Sequence, residues 1–145
     1  PGAQVLSAFL ASLLLVALPA LPYAWLKLSG WAPPAEWAAY AGEAVSLDGA
    51  FTNGGTFFGL LAGAILLVRL GGFQEKGAWW KLVLRYLLGV AGVLAIRYGL
   101  KFIFPESQDL LGWSLRYVRY ACIGLWVTGG APWAFLKLKL AERRS

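Results

Sequence analysis

The sequence contains no histidine and a single cysteine, Cys122. Without histidine, these residues cannot form a histidine-ligated metal site, use a histidine general base or carry a phosphohistidine. A lone cysteine cannot form an intrachain disulfide, and the apolar run around Cys122 is typical of a small buried residue. The two residue types that most often carry nucleophilic or metal chemistry therefore contribute almost nothing to this sequence.

Charge is scarce as well, since 14% of the residues are charged against about 25% in globular proteins. Hydrophobic residues make up 59% of the chain, and the mean hydropathy is +0.64. These values indicate one polytopic membrane domain. The formal net charge is +6, and the cations flank apolar runs. We therefore expect membrane lipids as partners, through their anionic headgroups, and no nucleic acid.

Residues 79–104 have the pattern of a transmembrane helix. No charge occurs between Arg85 and Arg97. Lys81 and Lys101 would lie about 30 Å apart along a helix, which matches the thickness of the hydrocarbon core. Aromatic residues occur at both ends of this stretch, as in the aromatic belts of membrane proteins.

The same reasoning over the whole chain predicts an all-α fold with four transmembrane helices and one short interfacial helix. The spans are expected at about 5–26, 50–70, 79–104 and 110–138, and the surface helix at about 33–44. Pro19 and Pro22 should kink or end the first span near Tyr23, and residues 128–132 should loosen the fourth. Residues 71–77 are predicted to form a hairpin loop, so that the second and third spans would be antiparallel neighbours.

Two stripes of small residues predict close helix packing. The first lies on the second span and the second on the third, and we expect them to contact each other: Gly55, Gly59 and Gly63; Ala91, Ala95 and Gly99. The alternative for the second span is a substrate groove lined by Thr52, Asn53 and Thr56.

Four cations lie inside the predicted third and fourth spans at similar depths, and they form a candidate binding site for an anion or lipid headgroup: Arg97, Lys101, Arg116 and Arg119. Arginine geometry suits phosphate, and charge inside a membrane often marks function. The alternative is that these side chains snorkel and pair with acidic residues, for which the candidates are Glu43, Asp48, Glu106 and Asp109. The sequence predicts no catalytic residue, no metal site and no cofactor.

Three phrases of the sequence resemble the C-terminal membrane region of bacterial proteins in the type 2 phosphatidic acid phosphatase family. They are LDGAFTNGGTFFGLLAG, WWKLVLRYLLGVAGVLAIRYGLKFIFP and LRYVRYACIGLWVTGGAPWAFLKL, and the resemblance extends over about residues 45–140. The family's catalysis rests on a Lys/Arg-Pro motif, a Pro-Ser-Gly-His motif and an Arg–His–Asp motif. None of these occurs here, so no functional residue carries over.

The resemblance implies a non-catalytic membrane domain, structural or lipid-interacting, that follows an upstream phosphatase core. The chain starts at Pro1 without methionine, so we expect a fragment or a processed product. The alternative is a pigment-free accessory subunit packed against a larger bacterial respiratory or photosynthetic complex. Most of the 13 cations fall on the side of the membrane that carries both termini, which predicts an inner-membrane protein with cytoplasmic termini.

Overall fold

The computed structural model describes residues 2–104, 107 and 109–143, except for the side chains of Glu43 and Ala44. Within these residues the chain forms helices and no strand. The elements are α1 (Gly2–Ser29), α2 (Ala38–Ala44), α3 (Asp48–Arg69), α4 (Trp79–Ile103), α5 (Leu110–Leu125), a π-helical segment (Trp126–Gly130) and α6 (Ala131–Lys137). Three of them, α1, α3 and α4, are long and apolar enough to cross a membrane. The expected all-helical, multi-pass membrane architecture is thus confirmed.

The first two helices differ from the expected bounds. Helix α1 continues through Pro19 and Pro22 to Ser29 instead of ending near Tyr23. Proline is tolerated inside membrane helices because neighbouring groups satisfy the carbonyls that it frees. Helix α2 starts at Ala38, five residues later than expected, because the chain before it forms a turn in which Trp37 N–H donates to the Pro34 carbonyl at 2.9 Å.

The expected fourth span is a continuous helical path made of α5, the π segment and α6. The residues at both joints, Leu125 and Ala131, have right-handed helical backbone angles. Pro132 explains the wider π turn, since its ring crowds the carbonyl of Thr128 and it has no N–H to donate. The glycines at 129 and 130 let the backbone adjust. Each piece is shorter than a membrane span by itself.

Helix α3 packs on both α1 and α5, and its glycines allow its backbone to come close to both helices. A Cβ on Gly54 would meet the Val16 side chain and the Ser12 carbonyl of α1. A Cβ on Gly59 would overlap the backbone of Ala121 on α5. The backbones are therefore in direct contact, which is the geometry that small residues allow in membrane helices.

The expected contact between the two small-residue stripes is not the one observed. Helix α3 packs on α5 and the π segment, while α4 packs on α5, the π segment and α6. Ala91, Ala95 and Gly99 are exposed on α4, and a Cβ on Gly99 would meet nothing within 4 Å. The partner differs because α5 has its own small residue, Gly124, against α3, while the Trp126 indole donates to the Gly89 carbonyl of α4.

Candidate functional site

The four cations of the predicted site occupy different surroundings. Arg97 and Lys101 are exposed on α4, whereas Arg116 is half-buried and Arg119 is only 7% exposed on α5. The guanidinium of Arg119 lies 5.6 Å from the centre of the Tyr120 ring, close enough for a cation–π contact. The two arginines of α5 thus belong to the bundle interior, and the two cations of α4 to its surface.

Arg116 forms an ion pair with Asp48 at the start of α3. Its Nη2 lies 3.2 Å from Asp48 Oδ2, and Trp113 Nε1 donates to Asp48 Oδ1 at 3.1 Å. The Trp113 ring in turn stacks on Phe51 and meets Tyr23 edge-on, both at 5.9 Å between centroids. This arrangement ties the first turns of α3 and α5 to the last turns of α1.

The other acidic residues proposed from the sequence as partners of the cations are Glu43, Glu106 and Asp109. Asp109 is the N-cap of α5, where its Oδ1 accepts a hydrogen bond from Gly112 N–H at 2.8 Å and another from the Ser107 hydroxyl. These two bonds stabilise the charged form and lower the pKa of the Asp109 carboxyl, the Ser107 bond most strongly. Glu106 and the side chain of Glu43 lie outside the described residues.

The glycines of the first predicted stripe lie at the centre of the α3–α5 contact. A Cβ on Gly55 would overlap the Tyr117 backbone, and one on Gly63 would overlap the Thr128 hydroxyl. The Thr128 hydroxyl lies 2.9 Å from the Leu60 carbonyl of α3 and 3.0 Å from the Gly124 carbonyl four residues before it, and it can donate to either. The alternative groove is not supported by Thr56, whose hydroxyl donates to the Thr52 carbonyl on the same helix at 2.8 Å.

A buried arginine clamp at the opposite end of the bundle was missed by sequence reasoning. Arg85 is 7% exposed, and its guanidinium donates to the carbonyls of Gln74 (3.3 Å), Glu75 (3.0 Å) and Leu140 (2.9 Å from Nε). Lys81 adds a bond to the Lys139 carbonyl at 3.3 Å. The sequence shows Arg85 only as a cation beside an apolar run, because carbonyl partners in irregular segments leave no residue-type signal.

Two further polar side chains join helices inside the bundle. The Ser12 hydroxyl on α1 is fully buried and lies 2.6 Å from the Tyr117 hydroxyl on α5. Trp126 Nε1 in the π segment donates to the Gly89 carbonyl of α4 at 3.1 Å. Hydrogen bonds of this kind hold membrane helices together where apolar packing alone is not selective.

These contacts organise helix packing. Among the described residues, no group of three or more cysteine, aspartate or glutamate side chains could hold a metal ion. The Cys122 thiol is half-buried on α5. The Asp48–Arg116 ion pair, the Ser12–Tyr117 contact and the Trp126–Gly89 hydrogen bond each join two helical segments, whereas the Thr56 hydroxyl bonds within its own helix.

Comparison with known proteins identifies the family. The family model described as "PAP2 superfamily phosphatase, transmembrane extension" matches residues 51–143. A search of curated proteins and a search of solved structures each found no match. The matched region runs from the first turn of α3, through the glycine contact and the arginine clamp, to the end of the described chain. The resemblance drawn from the sequence is confirmed, and the chain belongs to the PAP2 superfamily phosphatase transmembrane extension family.

Proposed function

We propose that this chain is a non-catalytic membrane domain that extends a PAP2-type phosphatase and supports it structurally. The observation that carries the proposal is the family match over α3–α6, in a chain that contains no histidine. The Asp48–Arg116, Ser12–Tyr117 and Trp126–Gly89 contacts support the same reading, because they join different helical segments. The family match favours this role over the accessory subunit of a respiratory or photosynthetic complex that the sequence also allowed.

The path α5–π–α6 is proposed as a fourth membrane crossing. It is about 40 Å long at about 1.5 Å per residue, which exceeds the hydrocarbon core. Its two ends lie near the two ends of α3, since Trp113 bonds to Asp48 at one end, and Leu70 and Leu136 line the same cavity at the other. Helix α3 packs on α5 and on the π segment, so a path that continues from them into α6 has a similar reach through the bilayer.

Arg97 and Lys101 are the proposed lipid-facing part of the predicted basic site. Their exposure on α4 supports contact with headgroups, because long basic side chains near a helix end reach the membrane surface. Arg116 and Arg119 would serve this role less directly, as their side chains are held within the bundle. The inner membrane is the proposed location, with both termini in the cytoplasm.

The proposed function is tested by two measurements. The purified chain in detergent should release no phosphate from phosphatidic acid or from an aryl phosphate, because no histidine is present to accept a phosphoryl group or move a proton. Release that is abolished by the double substitution Arg97→Glu and Arg119→Glu would contradict the proposal. An antibody against this segment should detect, in native membranes, a polypeptide larger than 15.7 kDa that carries a phosphatase core.

A further inference from the structure

A cavity of about 370 Å³ opens where α3 and α6 end, on the side of the bundle away from the Asp48–Arg116 ion pair. Its lining combines an apolar wall with two cations, and the lining residues are Leu70, Trp133, Leu136, Lys137, Ala141 and Arg143. The volume is within the range of small-molecule sites in proteins.

The two cations, Lys137 and Arg143, both line the cavity. The Lys137 ammonium lies 4.6 Å from the centre of the Trp133 ring, which holds the charge at the cavity wall. Arg143 is exposed on the same cavity. Within the described part of the chain, neither residue takes part in an ion pair. Their charges are therefore available to a ligand.

The segment that carries Arg143 is held in place by backbone hydrogen bonds. Leu140 N–H and Ala141 N–H both donate to the Phe135 carbonyl, at 2.9 and 3.1 Å, and Gln74 N–H donates to the Glu142 carbonyl at 2.8 Å. The Arg85 clamp fixes Leu140 from the other side. Arg143 thus extends from an anchored segment, so binding there would require little ordering of the chain.

We propose that this cavity binds the headgroup of an anionic phospholipid, with its phosphate between Lys137 and Arg143 and its glycerol and acyl region along Leu70, Trp133 and Leu136. Paired Lys and Arg charges suit a phosphate, and basic pockets between membrane helices bind such headgroups. The apolar wall favours a lipid over free phosphate, because a small ion would leave that wall without a partner. The inference deepens the proposed membrane role and rests on α6 reaching the membrane surface.

The test compares lipid binding by matched charge variants. The chain in detergent is titrated with phosphatidylglycerol or phosphatidylcholine, and bound lipid is counted by native mass spectrometry. We expect selective binding of phosphatidylglycerol. Lys137→Gln and Arg143→Gln should each weaken it about fivefold, since a basic residue near an anionic surface contributes about 1 kcal/mol. Lys76→Gln removes the same charge from an exposed site at the same end of the bundle and should leave binding unchanged.

Three results would overturn the proposal. Equal binding of the two lipids would show no anionic selectivity, and equal losses in all three variants would indicate diffuse surface charge instead of a site. Displacement of the lipid by inorganic phosphate at equal concentration would identify a free-phosphate site. Circular dichroism of each variant establishes that the helices are intact. None of these results bears on the phosphatase assay or the polypeptide length, so this inference can fail while the proposed function stands.

Discussion

At the scale of single residues, Arg85 shows how backbone carbonyls can accommodate a buried charge. Its guanidinium meets three backbone carbonyls from two irregular segments, 70–78 and 138–143. Carbonyls at the end of a bundle have no helical partner of their own, and a planar guanidinium can satisfy several at once. One side chain therefore connects the loop before α4 with the segment after α6.

Replacing Arg85 should loosen both segments together. We expect Arg85→Gln to lower the free energy of unfolding by about 1.5–3 kcal/mol, the range for hydrogen bonds to a charged group. Arg85→Lys should have an intermediate effect, because it keeps the charge and loses the planar fork. Thermal unfolding in detergent, followed by circular dichroism, measures the change. Lys76→Gln is the control. If Arg85→Gln unfolds at the same temperature as this control, the clamp makes no contribution to stability.

Asp109 gives a pH-dependent signal at the start of α5. Its pKa lies below the ordinary value of 3.8 because Ser107 and the Gly112 amide stabilise the carboxylate. A depressed pKa in the folded state means that the stabilisation is present above pH 3.8 and is lost as the pH falls through the folded-state pKa. The cap contact should therefore weaken only in strong acid.

The Gly112 amide nitrogen shift, followed by NMR as the pH is lowered, should report this titration. Ser107→Ala should move the midpoint upward toward 3.8, because it removes the largest cause of the shift. Asp109→Asn should flatten the curve while keeping the cap, since asparagine caps helices well and does not titrate. An unchanged midpoint in Ser107→Ala would assign the low pKa to another contact.

At the scale of helices, the contact between α3 and α5 depends on backbone approach. Three glycines of α3 lie against α5, namely Gly55, Gly59 and Gly63. On α5, the absence of a side chain at Gly124 leaves room for the Thr56 carbonyl of α3. Each helix thus supplies space that the other fills. This reciprocal fit explains why a regular glycine stripe on α3 contacts a less regular neighbour.

A single added methyl group should separate the two helices. Gly59→Ala would place a Cβ against the Ala121 backbone, and overpacking of this kind costs about 1–3 kcal/mol. Gly99→Ala on α4 is the matched control, because its Cβ would meet nothing within 4 Å, and alanine favours a helix over glycine. Unfolding titrations with a denaturing detergent compare the two. If both variants unfold alike, the close contact is not a source of stability.

The same helices show what the sequence could predict. Apolar length and flanking charge place α1, α3 and α4 within a few residues of their observed bounds, because those signals are local. The predicted partner of α3 was wrong because α4 and α5 both carry small residues. The sequence alone does not show which of these residues faces α3 in the folded bundle. The Arg85 clamp was missed because its acceptors are main-chain carbonyls, which no residue type marks in the sequence.

At the scale of the whole molecule, the bundle has two ends of different character. One end gathers the last turn of α3, the first turns of α4 and the segment after α6 around the Arg85 clamp. The other gathers the end of α1 and the starts of α3 and α5 around Asp48, Arg116 and Trp113. Neighbouring helices therefore alternate in direction, which four successive crossings require.

The two ends also differ in charge, and this predicts the orientation in the membrane. The end with the clamp carries most of the basic residues: Arg69, Lys76, Lys81, Arg85, Lys137, Lys139 and Arg143, with Arg144 following in the sequence. At the other end, the cations are balanced by acidic residues that include Asp48 and Asp109. The positive-inside rule therefore predicts that the clamp end, and with it both termini, faces the cytoplasm.

Fusions to alkaline phosphatase, which is active only outside the cytoplasm, test this orientation and the fourth crossing together. We expect activity when the enzyme is fused after Gly30, and none when it is fused after Gly77 or after Ser145. Activity at both Gly77 and Ser145, without activity at Gly30, would mean that the whole bundle is inverted. Activity at Gly30 and Ser145 alone would mean that the orientation is right and that α5–π–α6 fails to cross. The Gly77 fusion therefore separates an error in the charge argument from an error in the number of spans.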